Sequence, residues 1–228
     1  MDTRIYVCTH KKYNEISDPL YHSLHVGKAI SDDLGYPCDD AGENISAKNK
    51  SYCELTGIYW LWKNISCDII GICHYRRFFT IEKEPVNAEF IEDILCQKSY
   101  DIILPTCSSS PYASNYEHYK NKHVIKDLDT TRDVILEKYP DYVKAFDLMA
   151  HTNLASLGNM IITRKEIFDD YCAWLFDVLS EVEKRTDITD YDVFQKRIYG
   201  YLAERLLRVY IYMHPYKVYE VPVTQTTG

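Results

Sequence analysis

The sequence lacks the signatures of several common enzyme and binding classes. It contains neither GxxxxGKS/T nor GxGxxG, which excludes the simplest glycine-rich nucleotide loops. It contains no HExxH and no GxSxG, so a zinc protease or a hydrolase with a nucleophile elbow has no support. None of the eight cysteines forms a CxxC pair, which argues against a zinc knuckle. No apolar run approaches the roughly 20 residues that a membrane span requires.

Positive charge is also in short supply. The chain has 26 Lys and Arg against 34 Asp and Glu, so its net charge is -8 and its isoelectric point is near 5.5. This balance argues against general nucleic-acid binding, which needs a basic surface. Of the 228 residues 46% are hydrophobic, enough to bury a full core. Several cysteines lie in apolar runs and the chain begins without a signal peptide, so we expect reduced thiols in a cytoplasmic protein.

Strand-like and helix-like segments alternate along the chain, which predicts an α/β fold in one domain. Ser51 and Glu54 have the spacing of a capping box, and Asn87 can cap the helix that follows it. The predicted strands are 4–9, 68–73, 101–104, 157–163 and an edge strand at 217–223. The predicted helices begin near Ser51 and Asn87 and cover about 129–138, 141–151, 165–184 and 190–212. Residues 106–126 are predicted to form a long functional loop with a short helix.

The run from Asp68 to Arg77 is the most informative segment. Its apolar part predicts a buried strand that ends directly in His74, Arg76 and Arg77. In α/β sheets ligands collect at the carboxyl ends of strands, and guanidinium groups fit phosphate oxygens bidentately. These three residues are therefore predicted to bind a diphosphate. A departing diphosphate gains negative charge, and cations held at fixed positions could neutralise that charge without a metal. The alternative is that both arginines turn outward and pair with carboxylates.

The polar loop at 39–44 is a second candidate. Asp40 and Asn44 could hydrogen-bond a nucleotide, together with Thr9 and His10 at the end of the first predicted strand. Asp39, Asp40 and Glu43 could instead hold Ca²⁺ or Mg²⁺, although the spacing of an EF-hand is absent. The third interpretation is a solvated turn that leads into the helix near Ser51.

Four further residues could contribute to a reaction. Glu117 or His118, in the segment Tyr116–Tyr119, could take a proton from a sugar hydroxyl, as could Glu204. Asn159, in the predicted fourth strand, could orient a sugar. The alternatives are that the histidine is an ordinary surface residue and that Glu204 pairs with a neighbouring arginine on its helix.

Between Gln195 and Lys217 five positive charges stand against one negative charge, and apolar and aromatic residues are interleaved with them. Such a helix can lie against anionic lipid headgroups. The alternative is a core helix with one solvated face.

Several motifs together resemble a bacterial family of capsular and exopolysaccharide gene clusters. This family was long classed as a domain of unknown function, and some members are described as galactofuranosyltransferases. The motifs span nearly the whole chain. They are GENIS at 42–46, KN at 48–49, YCELT at 52–56, YWLWKN at 59–64, GICHYRRF at 71–78, EHY at 117–119 with His123, NM at 159–160, Tyr171 with WLF at 174–176, and Arg197 with GYLAERLL at 200–207. The family signature usually has Asp where this chain has Glu43, and often Tyr where it has Phe78.

The resemblance implies a glycosyltransferase with a single-domain, GT-A-like (Rossmann-like) sheet flanked by helices and a C-terminal helical segment. Residues 1–110 would form the nucleotide-sugar half and 111–228 the acceptor half. The donor would be a UDP-sugar, with UDP-galactofuranose as one candidate, and the acceptor a lipid-linked glycan at the inner face of the membrane. Mn²⁺ or Mg²⁺ stays open as a cofactor. The rival hypotheses are a metal-dependent phosphoesterase or nucleotidyltransferase, and a non-catalytic carbohydrate-binding subunit.

Overall fold

The α/β class predicted from the sequence is confirmed. The computed structural model describes residues 1–155 and 158–225 and has a central sheet flanked by helices. The strands are β1 Thr3–Thr9, β2 Tyr21–His25, β3 Ile69–His74, β4 Arg77–Ile81, β5 Glu84–Pro85, β6 Ile102–Pro105, β7 Ser108–Ser109, β8 Leu154–Ala155, β9 Ile161–Arg164, β10 Val218–Val221 and β11 Val223–Gln225. The α-helices are α1 Asn49–Tyr52, α2 Leu55–Asn64, α3 Ala88–Glu92, α4 Asn115–Lys122, α5 Ile125–Lys138, α6 Val143–His151, α7 Lys165–Arg185 and α8 Ile198–Met213.

The sheet has the strand order β10-β6-β9-β3-β1-β2. Strand β1 lies between β2 and β3 and is parallel to both, with Ile5 opposite Gly71. Strand β9 runs antiparallel between β3 and β6, and β10 extends the β6 edge in parallel. Strand β9, from the second half of the chain, therefore lies between two strands of the first half.

Hydrophobic side chains cover both faces of the sheet. In β3 Ile70 and Ile72 face the core that contains α2, α5, α6, α7 and α8, whereas Ile69 and Cys73 face a second core. That second core contains α3 and the π-helical turn that follows it, Asp93–Gln97. Burying each such side chain stabilises the fold by roughly 1.5–3 kcal/mol. The continuous apolar run in β3 therefore reflects a strand that is covered on both sides.

The predicted helix starts had different outcomes. The cap at Asn87 is confirmed, since its side chain accepts a hydrogen bond from the backbone N–H of Phe90 at 2.9 Å. The capping box of Ser51 and Glu54 is wrong. Ser51 lies inside α1 and donates to the carbonyl of Lys48, while Glu54 precedes α2 and makes no side-chain cap. The helical conformation is interrupted between α1 and α2 at Cys53, whose backbone is left-handed with φ 53°.

The bounds of the fourth predicted strand and of the last predicted helix differ from those in the structure. The fourth strand is β9, shorter than predicted, and Leu157, where it was predicted to begin, lies outside the described residues. Strands β2 and β4 were not predicted. The helix predicted from 190 begins at Ile198 after the 3₁₀ turn Gln195–Arg197. Within the described ranges, none of the helices is both long enough and apolar enough to cross a membrane.

Candidate active site

A cavity of about 820 Å³ lies at the carboxyl ends of β1 and β3. These strands are parallel neighbours, so the residues that follow each of them lie at the same edge of the sheet. The lining residues come from both halves of the chain. They are Cys8, His10, Val26, Asn49, Lys50, Cys53, Glu54, His74, Tyr75, Arg76, Arg77, Val193, Lys196, Arg197 and Glu204.

The cavity is positively charged although the chain is acidic. Its lining includes five lysine and arginine side chains, namely Lys50, Arg76, Arg77, Lys196 and Arg197. Against these stand two carboxylates, Glu54 and Glu204. Such a concentration of fixed positive charge in a cleft attracts and holds an anionic ligand.

Arg76 and Arg77 both face this cavity, as predicted from the end of the strand. Among the residues that the structure describes, neither guanidinium forms an ion pair with a carboxylate. Arg76 instead lies over the ring of Tyr75, with 4.9 Å between the guanidinium carbon and the ring centroid. Both arginine side chains are exposed at the cavity, and without a described carboxylate partner their hydrogen-bond donors are available to a ligand.

A tight turn sets the direction of these arginines. His74, the last residue of β3, pairs with Arg77, the first residue of β4, so only Tyr75 and Arg76 form the connection. The ring Nε2 of His74 is hydrogen-bonded to the carbonyl oxygen of Gly158. Gly158 has φ 112°, and a Cβ placed there would lie 3.3 Å from Nη1 of Arg77. Glycine thus permits both the backbone conformation and the close approach of the guanidinium.

The two carboxylates in the cavity differ in their partners. Glu204, on α8, is paired with Arg205 at 2.8 Å. Burial raises the pKa of Glu204, and the positive charge of Arg205 opposes that rise. Glu54 stands at the N-terminal end of α2 and accepts a hydrogen bond from Nδ2 of Asn159 at 2.7 Å. No cation of the described chain lies within ion-pair distance of Glu54.

Cys53 also lines the cavity, but as a neutral thiol. Burial raises its pKa to about 11, so it stays protonated at neutral pH. Its Sγ accepts a hydrogen bond from Nε of Arg197 at 3.2 Å. The left-handed backbone at Cys53 is an uncommon conformation for a residue with a side chain, and such strain is concentrated at functional sites.

Of the two nucleotide contacts predicted at the end of β1, His10 lines the cavity and Thr9 does not. His10 lines the cavity and meets the ring of Tyr75 edge-on at 5.2 Å. Burial lowers the pKa of His10, with a smaller contribution from the positive charge of Lys11, so its ring is neutral at pH 7. Thr9 is fully buried, and its hydroxyl is hydrogen-bonded to the backbone of Lys11. Its side chain therefore shapes the turn and does not line the cavity.

Asp40 and Asn44 also lie outside the cavity lining. Both protons of the Asn44 amide go to backbone carbonyls of its own loop, those of Asp40 and Gly42, at 3.0 and 2.9 Å. Its side-chain oxygen accepts from the backbone N–H of Ser46 at 3.2 Å. The Asn44 amide thus fixes the shape of the loop.

Asp39, one of the candidate metal ligands, is fully buried. Its carboxylate accepts hydrogen bonds from the backbone N–H groups of Gly27 and Lys28 and from the hydroxyl of Ser46, at 2.9, 3.2 and 2.5 Å. Glu43 accepts from the hydroxyl of Tyr59 at 2.8 Å. Both carboxylates are thus occupied by donors of the same chain. In the described part of the chain no group of three His, Cys, Asp or Glu residues is arranged to hold a metal ion.

The predicted candidates on α4 are also outside the cavity lining. Glu117 lies 3.8 Å from Nζ of Lys120, one turn along the helix. His118 stacks on Tyr112 with 5.1 Å between ring centroids. Burial lowers the pKa of His118, and the charge of Arg205 adds to that effect. A role for either residue as the base would require the acceptor to approach from this side.

Asn159 was predicted within a strand and in contact with a sugar. It lies instead in the turn before β9, with φ 51° and only 3% of its surface exposed. Its amide donates to Glu54 and to the carbonyl of Gly200, so it faces the cavity carboxylate and not the cavity itself. Asn159 is therefore placed to orient Glu54.

The 195–217 segment, predicted to lie against a lipid surface, contains α8. Most of the helix is buried, including Arg205 at 4% exposure. Arg205 pairs with Glu204, and Arg208 lies 3.8 Å from Glu220. Lys196 and Arg197, just before the helix, line the cavity. Four of the five positive charges of this segment thus line the cavity or face a carboxylate of the chain, and Lys217 is exposed.

Four charged lining residues were not predicted to belong to the site: Lys50, Glu54, Lys196 and Arg197. Glu54 and Arg197 lie in or beside motifs of the resemblance, which was the available signal. Lys50 and Lys196 had no signal, since an isolated lysine is usually a solvated surface residue.

A family model described as a domain of unknown function, DUF4422, matches residues 4–215. The chain belongs to this family. No curated protein matches the chain. This DUF4422 chain is similar over its whole length to the apo structure of WbbM, a bifunctional glycosyltransferase, with a TM-score of 0.89 and 32% identity. It spans 46% of the length of that protein. The sequence resemblance is thereby confirmed at the level of a glycosyltransferase-like family.

Proposed function

We propose that this DUF4422 chain is a glycosyltransferase that takes its sugar from a nucleoside-diphosphate donor. The observation that carries this proposal is the pair of guanidinium groups, Arg76 and Arg77, unpaired with any described carboxylate at the carboxyl end of a parallel strand. The likeness to one part of a bifunctional glycosyltransferase supports the reaction class.

The cavity cations suit the electrostatics of this reaction. As the bond between the anomeric carbon and the diphosphate breaks, negative charge grows on the departing phosphate. Arg76 and Arg77 would receive that charge through charge-assisted hydrogen bonds, each stabilising by roughly 1.5–3 kcal/mol. Lys50, Lys196 and Arg197 would add to the positive potential. Donors already held in place cost no reorganisation when the charge develops, which is the main source of electrostatic catalysis.

The finer assignments extend this proposal. We assign His10 to the nucleotide, because it is the predicted nucleotide contact that lines the cavity. The sequence resemblance supports a UDP-sugar, with UDP-galactofuranose as the first donor to test. It also supports a lipid-linked glycan of surface-polysaccharide synthesis as the acceptor. Neither Asp40 nor Asn44 is kept as a nucleotide contact in this proposal.

The test is release of nucleoside diphosphate from a panel of UDP-, GDP-, CDP- and dTDP-sugars, with octyl galactoside as the acceptor. We expect release from one class of donor, lost in Arg76→Ala and Arg77→Ala. Lys144→Ala is the matched control, because Lys144 is an exposed cation on α6 away from the cavity lining. A wild-type protein that binds glycans but releases no diphosphate would contradict the proposal and favour a carbohydrate-binding subunit. Inorganic phosphate as the product would favour a phosphoesterase.

A further inference from the structure

Two carboxylates face the cavity, and their surroundings suit them to different tasks. We infer that Glu54 is the base that removes the proton of the acceptor hydroxyl, and that Asn159 is a positioning residue for Glu54. This inference rests on the proposed function and names the group that activates the acceptor. Neither residue was assigned this role by the sequence.

Glu204 forms an ion pair with Arg205. Its carboxylate lies 2.8 Å from Nη1 of Arg205, which is only 4% exposed and forms no ion pair with any other described carboxylate. Taking Glu204 away from this pair would leave a buried guanidinium without compensation, which costs several kcal/mol. Glu204 therefore stabilises Arg205 and shapes the cavity wall, and a carboxylate that must accept a proton in each cycle is poorly placed there.

Glu54 has the complementary surroundings. It stands at the N-terminal end of α2, where the partial positive charge of the helix end stabilises a carboxylate. Its Oε1 accepts the hydrogen bond from Asn159, and it makes no ion pair within the described residues. A second carboxylate oxygen is thus left to accept a proton. A general base needs this combination of retained charge, a free lone pair and a fixed orientation.

Asn159 supplies the fixed orientation. Its Nδ2 donates one proton to Glu54 at 2.7 Å and the other to the carbonyl oxygen of Gly200 at 3.2 Å. The residue is 3% exposed, and its left-handed backbone is one that Asn adopts more readily than most residues. Its side-chain Oδ1 is buried and has no partner among the described residues. Two donated hydrogen bonds therefore define which way the amide points, and with it the position of Glu54.

The step balances as a single displacement. The acceptor hydroxyl oxygen attacks the anomeric carbon, and the hydroxyl proton passes to Glu54. The bond from the anomeric carbon to the donor oxygen breaks, and its electron pair stays on the diphosphate beside Arg76 and Arg77. Attack from the face opposite the leaving group inverts the anomeric configuration, so the product carries the linkage opposite to that of the donor.

The first test is Glu54→Gln, which keeps the size and removes the basicity. General-base catalysis is worth roughly 10²–10⁴-fold, so we expect kcat for diphosphate release to fall at least about 100-fold. The thermal shift caused by the nucleoside diphosphate should stay as in the wild type. Glu43→Gln is the matched control, because Glu43 is an exposed carboxylate of a nearby loop outside the cavity lining. A Glu54→Gln enzyme with near wild-type kcat would overturn the role of Glu54.

The second test separates positioning from structure. Asn159→Asp keeps the shape and the left-handed preference but replaces the donor with a carboxylate, and Asn159→Gly keeps the backbone alone. We expect kcat to fall at least tenfold in both, with KM for the donor nearly unchanged. The melting temperature of Asn159→Asp should fall, because its carboxylate would be buried against that of Glu54. A raised KM with unchanged kcat would overturn the positioning role. A wild-type protein that turns over no donor would overturn the proposed function and this inference with it.

Discussion

The imidazole of His74 is hydrogen-bonded to the carbonyl oxygen of Gly158, and this contact joins the end of β3 to the turn before β9. It holds Gly158 against the side chain of Arg77, so two segments far apart in sequence define one wall of the cavity. The position of the Arg77 guanidinium thus depends on Gly158, a residue that the sequence pattern of β3 does not indicate.

Replacing Gly158 with alanine tests this wall. At φ 112° a side chain is strained, and its Cβ would contact Arg77, so we expect a loss of stability of about 1–3 kcal/mol. Binding of the nucleoside diphosphate should weaken roughly tenfold, the equivalent of about 1.4 kcal/mol. Gly35→Ala is the control, because Gly35 also has a positive φ, 74°, but a Cβ there would meet no arginine within 4 Å. It should lose stability without losing affinity. Equal affinity losses in both variants would contradict the account of the wall.

Asp39 and Asp40 form a matched pair for the 39–44 loop. Asp39→Ala removes the acceptor for three hydrogen bonds and leaves buried donors unsatisfied, so we expect a loss of about 2–5 kcal/mol in the free energy of unfolding. Asp40→Ala should change stability by less than about 0.5 kcal/mol, since this side chain is exposed. Urea denaturation of both variants measures the difference. A stable Asp39→Ala protein that loses Mg²⁺- or Mn²⁺-dependent activity would instead favour the metal-dependent phosphoesterase.

Asp127, on α5, is expected to make stability depend on pH. It is buried, and burial raises its pKa from 3.8 to about 6, which the hydrogen bond from Tyr191 partly opposes. Between pH 4 and 6 the folded state therefore binds more protons than the unfolded state. The contribution of Asp127 to stability is present at low pH and is lost as the pH rises through about 6.

Asp127→Asn removes this titration and keeps an acceptor for Tyr191. Its stability relative to the wild type should rise by about 2–3 kcal/mol between pH 4 and pH 7, at about 1.4 kcal/mol per pKa unit. His123 acts in the opposite direction, since burial lowers its pKa to about 4, but it is common to both proteins and cancels in the difference. Urea midpoints at the two pH values give the result. A difference that does not change with pH would contradict the assignment.

The sheet and the arginines could be predicted from the sequence because both follow from local patterns. The apolar run of β3 indicates a buried strand, and ligands gather where such strands end, which was enough to place His74, Arg76 and Arg77. The caps of helices were harder. Asn87 acts locally, whereas Ser51 and Glu54 are separated by the left-handed residue Cys53, which their spacing does not reveal.

The remainder of the site depends on contacts between distant segments. Asn159 and Glu54 are 105 residues apart, so no spacing rule connects them. The choice between Asp39 and Asp40 depends on how the loop folds over Gly27. The charges of α8 suggested a membrane surface because the sequence does not show that Arg205 is buried against Glu204. Local periodicity predicts the elements, and tertiary contacts decide which polar residues meet.

The most direct test of the central claim is a thermal-shift titration with UDP, GDP, CDP and dTDP, each in EDTA and in Mn²⁺. A ligand of the native state adds roughly 2.7 kcal/mol of stability at a hundredfold excess over its Kd. We predict a rise in melting temperature with one diphosphate, because the cavity supplies five fixed cations. The rise should be equal in EDTA and Mn²⁺, be lost in Arg76→Ala and be kept in Lys144→Ala. No shift with any diphosphate, or a shift that requires Mn²⁺ and survives Arg76→Ala, would contradict the proposed arginine site.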